Sequence, residues 1–498
     1  MEFEEFKKWA GQYNAVPVSR RLLADVWTPV SVFLSIRRGA SYPFLLESVE
    51  GGEQVARYSF IGRDPYQVLL FDGRKVVLRT NDKERELQKP YFEALDELTE
   101  QYRQPELLDL PRLTGGAVGY SSYDTIREIE QLTGGPEKDL DTPEAIWAFY
   151  DEVIAFDHVK HQLVLMKTVF PENYSSPEKA YNDAQQALDR METTVRSTPE
   201  PDRPIDLDKE LLGSNQSRSE FVKNVEKAKS YIVEGEIFQV VLSQRFKVPF
   251  RGDRFMLYRA LRMVNPSPYL FYLDFKEFSL IGSSPEVLVR VTGREARLLP
   301  IAGTRPRGVD RDEDLVLEKE LLADPKEVAE HIMLVDLGRN DLSRVCNAGS
   351  VKLERNRVIE RYSHVMHIVS DVVGKLRDGE NAVSALKACF PAGTVSGAPK
   401  IRAMEIIDRL EPVRRGPYAG AVGYFDYSGN MDTCIAIRTM VATSENVYIQ
   451  AGAGIVADSR PGNEFEETKN KARALVEALD LALTITQNEK HPKKPTTE

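Results

Sequence analysis

The sequence contains few of the residues that build metal clusters or disulfide frameworks. Its 498 residues include only three cysteines, six histidines and three tryptophans. Cys346, Cys389 and Cys434 lack the spacing of metal ligands, and an odd number cannot all pair within the chain. This argues against zinc and against a secreted disulfide scaffold, and it predicts a cytoplasmic chain with reduced thiols.

Long apolar runs and an excess of positive charge are also missing. No stretch approaches the ~18 apolar residues of a membrane helix, and the first five residues are acidic where a signal peptide would be basic. With 66 Lys and Arg against 77 Asp and Glu, the net charge is −11, which disfavours a general nucleic-acid binder. We therefore expect neither a membrane nor a nucleic acid as a partner.

The chain is predicted to consist of two large portions. A helix is expected from Ser176 to about residue 192, because Ser176 can cap it and Pro177 suits its first position. The proline-rich stretch 197–204 that follows breaks regular structure and is the best linker candidate. We assign residues 1–195 to an N-terminal portion, 196–212 to the linker, 213–485 to a C-terminal portion and 486–498 to a flexible tail.

Strand-like segments outnumber helical ones, which predicts an α+β fold of mixed antiparallel sheet with helices packed outside. The sequence Gly-Ala-Val-Gly-Tyr occurs at 116–120 and again at 420–424. Each copy leaves a glycine-rich turn and enters a strand-like stretch. The repeat therefore predicts two related sheet elements, one in each portion.

A glycine-rich pattern, Gly-Ala-Gly-Ile-Val-Ala at 452–457, follows the strand-like stretch 447–450. It resembles a dinucleotide-binding fingerprint. The residues that come next, Asp-Ser-Arg-Pro-Gly-Asn, cannot open an apolar crossover helix at once. We interpret the pattern as a loop whose glycines let a ligand approach the backbone.

A helix is predicted to begin at Asp324, with Glu327 positioned to act as a capping-box acid. Glu330 shares a helix face with Met333 and Leu334. A carboxylate on a buried stripe is costly unless it is paired or binds a metal. A structural ion pair and a functional carboxylate are both compatible with this pattern.

A second helix is predicted to begin near Asn463, and Glu464, Glu467 and Lys471 project from one of its faces. These acids could simply complement the helix dipole, and Glu467 with Lys471 could form an ordinary i, i+4 pair. Together, however, the two helices could place carboxylates around one hard cation, for which Mg²⁺ is the natural candidate.

Among the histidines, His364 and His367 lie nearest to these features in the sequence. Their segment alternates, so the two side chains point to opposite faces and at most one faces a pocket. Histidine suits general acid–base work near neutral pH. A purely structural role is the alternative.

Three motifs taken together resemble those of the chorismate-utilising enzymes. They are Glu-His-x-Met-Leu-Val-Asp-Leu-x-Arg-Asn-Asp at 330–341, Pro-Ala-Gly-Thr-Val-Ser-Gly-Ala-Pro-Lys at 391–400, and Ala-Gly-Ala-Gly-Ile-Val-Ala-Asp-Ser at 451–459 with the Glu-x-x-Glu-x-x-x-Lys that follows. They occur in the expected order across about residues 215–485. The resemblance implies an α/β sandwich of two antiparallel sheets, with helices outside and strands from both portions.

The resemblance also implies roles for individual residues. Glu330 and Glu467 correspond to ligands of a Mg²⁺ ion that grips the ring carboxylate of chorismate, and His367 corresponds to a catalytic histidine beside the departing hydroxyl. Thr394 is assigned to both catalysis and substrate binding. The implied substrate-binding residues, including the supporting carboxylates Glu327 and Glu464, are Gln239, Ala302, Gly303, Thr304, Glu327, Thr394, Tyr418, Arg438, Gly452, Ala453, Gly454, Glu464 and Lys471.

Two positions indicate which nucleophile the family member uses. Where aminodeoxychorismate synthases commonly carry a nucleophilic lysine, this chain has Ala302. Where isochorismate and salicylate synthases carry a lysine that activates water, it has Gln239. Both substitutions point to ammonia as the nucleophile, with anthranilate and pyruvate as products, at the first committed step of tryptophan biosynthesis.

The resemblance extends to a partner and an inhibitor. Nothing in the sequence resembles the Gly-x-Cys-x-Gly setting of a glutaminase, so a glutamine amidotransferase chain is expected to deliver the ammonia. Segments 45–48 and 265–270 are similar to those that form a tryptophan feedback site. The residues assigned to that site are Glu47, Ser48, Asn265, Pro266, Ser267, Pro268, Tyr269, Leu270 and Cys434.

Two alternatives stand beside this interpretation. The first is aminodeoxychorismate synthase, against which Ala302 and the tryptophan segments argue. The second is a sensor that binds tryptophan or chorismate without turnover. Four intact residues count against the sensor, because a retired active site need not keep its carboxylates: Glu330, Glu467, His367 and Lys471.

Overall fold

The computed structural model describes residues 1–48, 57–80, 83–132, 134–199, 203–208, 212–361 and 365–490. None of the helices in these ranges is both long enough and apolar enough to cross a bilayer. The helices are α1 Phe3–Ala10, α2 Pro29–Ile36, α3 Tyr91–Glu100, α4 Pro177–Val195, α5 Arg218–Val233, α6 Arg254–Val264, α7 Arg311–Ala323, α8 Pro325–Ser343, α9 Ala382–Cys389, α10 Lys400–Leu410 and α11 Pro461–Lys490.

The strands divide between two sheets. Those of the first sheet are β1 Val16–Leu23, β2 Phe44–Glu47, β3 Tyr58–Gly62, β9 Glu152–Asp157, β10 Gln162–Val169, β11 Asp206–Leu207, β12 Gly213–Ser214, β13 Gln239–Arg251, β14 Tyr269–Asp274, β15 Phe278–Ser284, β21 Gly397–Ala398, β24 Thr439–Thr443 and β25 Asn446–Ile455. Those of the second are β4 Gln67–Phe71, β5 Val76–Thr80, β6 Lys83–Leu87, β7 Gly116–Ser121, β8 Ala145–Tyr150, β16 Val287–Thr292, β17 Glu295–Leu298, β18 Ile301–Pro306, β19 Lys352–Arg361, β20 Val365–Lys375, β22 Ala421–Asp426 and β23 Met431–Ile435.

Both sheets are antiparallel. The first has the order β1-β10-β9-β3-β2-β14-β15-β24-β25-β13-β11, and β12 and β21 also pair with β13. The second has the order β18-β20-β17-β16-β23-β22-β7-β8-β4-β5-β6, and β19 also pairs with β20. Side chains from the inner faces of both sheets, such as Phe44 and Phe271 from the first and Val118 and Ile146 from the second, form a common buried cluster. The predicted α+β sandwich is confirmed.

The two portions of the chain share both sheets. In the first sheet β2 pairs with β14, so that Glu47 lies opposite Leu270. In the second, β7 pairs with β22. The boundaries predicted around residues 196–212 therefore divide the sequence without dividing the sheets. The predicted start of the tail falls inside α11, which continues to Lys490, and residues 491–498 lie outside the described residues.

Local signals place several helix ends correctly. Ser176 accepts a hydrogen bond from the backbone of Lys179 at the start of α4. Asp324 likewise accepts from the backbone of Lys326 and Glu327 at the start of α8. Each cap satisfies amides that have no partner within the helix. The predicted starts of both helices are confirmed.

The repeated Gly-Ala-Val-Gly-Tyr segments pair with each other. Strand β7 lies against β22 in a register that sets Gly119 opposite Gly423. A Cβ on Gly119 would lie 1.9 Å from the carbonyl oxygen of Ile146, and one on Gly423 would lie 2.0 Å from that of Asp432. The repeated glycines therefore leave room for the backbones of β8 and β23, which flank the β7–β22 pair on its two sides.

We expect Gly423→Ala to destabilise the protein by about 3 kcal/mol or more, because backbone atoms cannot move aside as a flexible side chain would. Gly213→Ala is the matched control, since nothing lies within 4 Å of a Cβ at that position. The midpoints of thermal unfolding of the two variants provide the comparison. Equal midpoints would contradict the role assigned to the glycine pair.

Helices α8 and α11 cover the region where the sequence motifs meet. Helix α8 packs against β18 and β20 of the second sheet, whereas α11 packs against β25 of the first. The two helices are far apart in the sequence but belong to neighbouring layers. Their N-terminal turns border one cavity.

Candidate active site

A cavity of about 880 Å³ lies between the first turns of α8 and α11 and the ends of β13, β15 and β25, and is called here the α8–α11 cavity. Most of the residues assigned to metal and substrate binding line it. They are Gln239, Glu330, Thr394, Tyr418, Arg438, Gly452, Gly454, Glu464, Glu467 and Lys471. The folding of the chain thus gathers side chains from six separate segments, together with the glycines of β25, around one space.

One wall of the cavity is formed by α8, where Glu330 and Met333 face the cavity. The expectation that Glu330 lies on a buried stripe is wrong, since its side chain is exposed to the cavity. The surrounding protein still desolvates the carboxyl, which raises the pKa of Glu330, and the carboxylates of Glu327 and Glu467 raise it further. A cation placed here would relieve this repulsion.

The opposite wall is formed by the first turns of α11. Lys471 Nζ lies 2.7 Å from Glu467 Oε1 and donates a hydrogen bond to the carbonyl of Gly452 at 3.0 Å. The i, i+4 pair considered for these residues is therefore present. Burial raises the pKa of Glu464, which lines the same wall. Lys471 thus joins the helix to strand β25 and leaves acidic side chains facing the cavity.

The donor set of the cavity suits Mg²⁺ better than a transition metal. Among the described residues, no group of three His, Cys, Asp or Glu side chains is arranged to hold a metal ion. Mg²⁺ usually needs only one or two carboxylates and keeps several waters. Glu330 and Glu467 are close enough to influence each other's charge across the cavity. These two residues could therefore hold a hydrated magnesium ion.

The first four residues of the glycine-rich pattern, 452–455, belong to strand β25, so the interpretation of these residues as a loop is wrong, and 456–457 follow the strand. A Cβ on Gly452 would lie 2.8 Å from the hydroxyl of Tyr418, and one on Gly454 would lie 2.6 Å from Nε2 of Gln239. The glycines thus make room for two side chains that line the cavity. Ala453 packs on the other face of the strand, in a hydrophobic cluster with Leu242, because alternate residues of a strand face opposite ways.

A carboxylate that the sequence analysis did not identify also lines this cavity. Glu286 follows the end of β15 and accepts a hydrogen bond from Thr394 Oγ1 at 2.9 Å. Burial raises its pKa, and the nearby charges of Arg438 and Lys471 act against this rise. Burial also lowers the pKa of Arg438. The only local signal was an acid directly after a Ser-Pro strand end, which has no helical or alternating pattern.

The remaining assigned residues form a second group beside the cavity, around β18 and β20. His367 Nδ1 donates to the carbonyl of Gly303 at 3.1 Å and lies 3.0 Å from Thr304 Oγ1. A proton on Nδ1 is required for this bond, because the carbonyl oxygen can only accept. Burial lowers the pKa of His367, so its ring is neutral near pH 7. Within the described residues, neither His367 nor the Ala302–Thr304 segment belongs to the cavity lining.

Glu327 connects this second group to α8. A Cβ on Gly303 would lie 3.2 Å from Glu327 Oε2, and Glu327 Oε1 lies 3.7 Å from Arg305 Nη1. Glu327 therefore covers the β18 backbone instead of lining the α8–α11 cavity. His364, the other histidine considered, lies outside the described residues.

A second and larger cavity, of about 1140 Å³, lies where β2 and β14 join the two portions of the first sheet, and is called here the β2–β14 cavity. Six residues assigned to tryptophan binding line it, namely Glu47, Ser48, Pro268, Tyr269, Leu270 and Cys434. The other three, Asn265, Pro266 and Ser267, form the loop before β14. In that loop Ser267 Oγ donates to the carbonyl of Ser284 at 3.0 Å.

Polar groups in the β2–β14 cavity differ in whether they have hydrogen-bond partners. The carboxylate of Glu47 accepts hydrogen bonds from Tyr258 at 2.5 Å and from Arg262 at 2.9 Å. The hydroxyl of Ser48 is buried and has no hydrogen-bond partner in the described part of the chain. A buried hydroxyl without a partner is costly. It is therefore well placed to bond a polar ligand.

Comparisons with known proteins identify the family to which the chain belongs. Residues 43–477 match the family model of the chorismate binding enzymes. The chain is 47% identical over 491 residues to "Anthranilate synthase component 1" of Acetivibrio thermocellus, covering 96% of this chain and 98% of that protein. It is 48% identical over 502 residues to the protein of the same name from Synechocystis, with the same coverage.

A solved structure shows the same fold. The crystal structure of anthranilate synthase component I from Streptococcus pneumoniae matches with a TM-score of 0.75 and 35% identity, over 92% of this chain and 99% of that chain. The chain belongs to the family of chorismate-binding enzymes. Within this family, it is an enzyme of the anthranilate synthase component 1 type.

Proposed function

We propose that this chain converts chorismate and ammonia to anthranilate and pyruvate in the α8–α11 cavity, with Mg²⁺ as cofactor. The observation that carries the proposal is the pairing of two acidic residues, Glu330 and Glu467, with two basic ones, Arg438 and Lys471, around one space. Chorismate is a dianion, so it needs a cation for each carboxylate or a metal and a guanidinium together. A cavity lined by charged side chains of only one sign would not suit both the metal cation and the anionic substrate.

The protein's own groups divide the work of binding. Glu330 and Glu467 would hold Mg²⁺, which when bound supplies positive charge to the ring carboxylate. Arg438 and Tyr418 would hold the enolpyruvyl carboxylate, since both line the cavity opposite α8. Gln239 lines the cavity where relatives that use water carry a basic lysine. Its amide cannot serve as a base, which favours ammonia, a nucleophile that needs no activation once neutral.

Proton transfer has two candidates among the described residues. The leaving C4 hydroxyl needs a proton, and pyruvate elimination then needs a base. His367 carries the role implied by the resemblance, and its neutral ring can accept a proton. Glu286 lies in the cavity itself and keeps a proton to a higher pH than an ordinary carboxyl. We propose Glu286 as the proton donor to the leaving group, with Thr394 holding its carboxyl in place.

The ammonia is proposed to come from a separate glutamine amidotransferase. The relatives are named as component 1 of their enzyme, which implies a second component. Ammonia is mostly protonated near neutral pH and is then not a nucleophile. Direct delivery by a partner chain would supply the neutral form.

The β2–β14 cavity is the proposed site of feedback inhibition by tryptophan. It lies outside the α8–α11 cavity, but β14, which lines it, pairs with β15. Pro285 and Glu286, which directly follow β15, line the α8–α11 cavity. To inhibit, tryptophan has to bind more tightly to an inactive arrangement than to the active one. A shift of β15 would couple the two sites.

We expect Ser48→Ala to raise the tryptophan concentration that gives half-inhibition by about tenfold, the effect of one lost hydrogen bond. Folding stability should change little, because the hydroxyl bonds nothing in the described structure. Inhibition is measured relative to the uninhibited rate of each variant. Ser219→Ala, exposed on α5, is the control. An unchanged half-inhibiting concentration would contradict tryptophan binding at Ser48.

The proposed function is tested by mixing the purified chain with chorismate, Mg²⁺ and ammonium at mildly alkaline pH and following anthranilate fluorescence. Anthranilate that disappears on addition of tryptophan is the expected result. Aminodeoxychorismate or isochorismate as product would contradict the roles given to Ala302 and Gln239. Turnover that is insensitive to tryptophan would contradict the feedback site alone.

A further inference from the structure

A buried ion pair lies directly behind the α8–α11 cavity. Arg415 is 2% exposed and Glu411 is 6% exposed. The guanidinium donates to both carboxylate oxygens, from Nε at 2.9 Å and from Nη2 at 2.6 Å. Neither residue is among those that line the cavity. None of the roles described above involves this pair.

The remaining donors of Arg415 reach the backbone of the cavity wall. Nη2 donates to the carbonyl of Val241 in β13 at 2.7 Å, and Nη1 donates to the carbonyl of Val395 at 2.6 Å. Both valines line the cavity, and Val395 directly follows Thr394. One planar guanidinium therefore fixes two wall segments that are distant in the sequence.

Other contacts of the pair reach further lining residues. The guanidinium carbon of Arg415 lies 5.6 Å from the ring centroid of Tyr418. Glu411 Oε1 accepts from both the backbone N–H and the hydroxyl of Ser243 at 2.8 Å. Ser243 Oγ in turn accepts from Nε2 of Gln450 at 2.9 Å, and Gln450 lines the cavity. The pair is thus a shared anchor for several walls of the site.

Stability alone is a weak reason for such a pair. Desolvating two charges costs about as much as their attraction returns, so apolar replacements of buried pairs are often neutral. Arginine, by contrast, is the only residue whose rigid, planar guanidinium can hold two carbonyls in one plane. The geometry of the contacts points to shape control of the cavity.

We propose that Arg415 and Glu411 are positioning residues that hold the Val241 and Val395 segments and Tyr418 in the arrangement that binds and orients chorismate. Thr394 and Tyr418 would then face the substrate correctly only while the guanidinium of Arg415 keeps its hydrogen bonds. This inference rests on the proposed location of chorismate in the α8–α11 cavity. It adds two residues that contact neither the substrate nor the metal.

The first test is Arg415→Lys. Lysine keeps the charge and the pairing with Glu411, but its ammonium cannot donate in one plane to two carbonyls and a carboxylate. We expect kcat to fall by about 100-fold, as for a displacement of about 1 Å at a reacting centre, with the midpoint of thermal unfolding within a few degrees of wild type. If the pair served charge balance alone, lysine would restore activity. A folded variant within about threefold of the wild-type kcat overturns the proposal.

The second test removes the pair without leaving an orphaned charge. Arg415→Met with Glu411→Gln keeps an acceptor for Ser243, and its matched control is Arg37→Met with Asp253→Asn, a buried bidentate pair that joins α2 to α6. We expect the first double variant to lose about 100-fold in kcat and the control to stay within about threefold. An equal loss in both variants overturns the proposal, as does full activity in the first.

The outcomes separate this inference from the proposed function. If the Arg415→Met, Glu411→Gln variant does not fold, Arg415→Lys decides the matter. If Glu467→Ala abolishes activity but both variants changed at Arg415 stay active, only the positioning role is overturned. An enzyme that stays active without Glu467 overturns the placement of the active site itself.

Discussion

Replacing Glu467 with alanine is expected to lower anthranilate formation by at least about 1,000-fold, since a bound metal ion contributes several kcal/mol and each 1.36 kcal/mol is a factor of ten. The side chain lines the α8–α11 cavity, as that of Glu330 does, and its charge acts on Glu330. Without it, Mg²⁺ keeps one protein carboxylate and the substrate's ring carboxylate loses its partner. Lys471 also loses its ion pair and becomes free to bind a substrate carboxylate directly, which cannot replace a divalent ion.

The same change should leave the chain folded. The Glu467 side chain is 44% exposed, and an exposed i, i+4 pair contributes only about 0.5 kcal/mol. Glu466→Ala is the matched control, because this neighbouring glutamate is exposed and its contacts are with Lys469 at 3.4 Å and Arg218 at 4.0 Å. The assay follows anthranilate fluorescence as Mg²⁺ is titrated, alongside thermal unfolding. An active Glu467→Ala variant would refute the metal assignment.

Glu286→Gln is expected to lower kcat by about 10²- to 10⁴-fold, the usual contribution of a general acid or base. Glutamine has the same shape and still accepts the hydrogen bond from Thr394, so the cavity wall should be preserved. What is lost is the proton that the carboxyl can give to the departing hydroxyl. Glu277→Gln, an exposed residue in the turn between β14 and β15, controls for the loss of a carboxylate elsewhere.

The pH dependence supplies an independent test. Burial raises the pKa of Glu286, so the carboxyl keeps its proton to a higher pH than an ordinary glutamate does. If the protonated form is active, kcat falls as the pH rises through this raised pKa, and the falling limb is absent in Glu286→Gln. The profile should be measured at a constant concentration of free ammonia. If Glu286→Gln retains full activity and His367→Gln does not, the proton donor is His367.

Much of the site was predictable because its signals are local. The caps at Ser176 and Asp324 set helix starts within a few residues, and the i, i+3 spacing of Glu464 and Glu467 sets both on one face of α11. Family motifs identified Glu330, Arg438 and Lys471, all of which line the cavity. For the caps and the helical spacing, neighbouring residues and the helical period are sufficient to predict the geometry. The roles of Glu330, Arg438 and Lys471 came from the family resemblance.

Other features depend on contacts between distant segments. The predicted loop at 452–457 begins within strand β25 because β13 pairs with residues 452–455. The buried setting of Glu286 arises only when Thr394, Arg438 and Lys471 approach from three other segments. The Arg415–Glu411 pair gains its role from carbonyls in β13 and near Thr394. No sequence pattern near these residues encodes such partners.

The sequence by itself determined the α+β class, the starts of α4 and α8, the family and most of the residues around the α8–α11 cavity. Caps, periodicity and short motifs are local, so they need no knowledge of the fold. The tertiary structure decided that β2 pairs with β14, that Gly119 lies opposite Gly423, and that His367 lies beside the cavity while Glu286 lines it. Strand pairing and the desolvation of charged groups depend on residues far away in the chain, and only the packed structure brings them together.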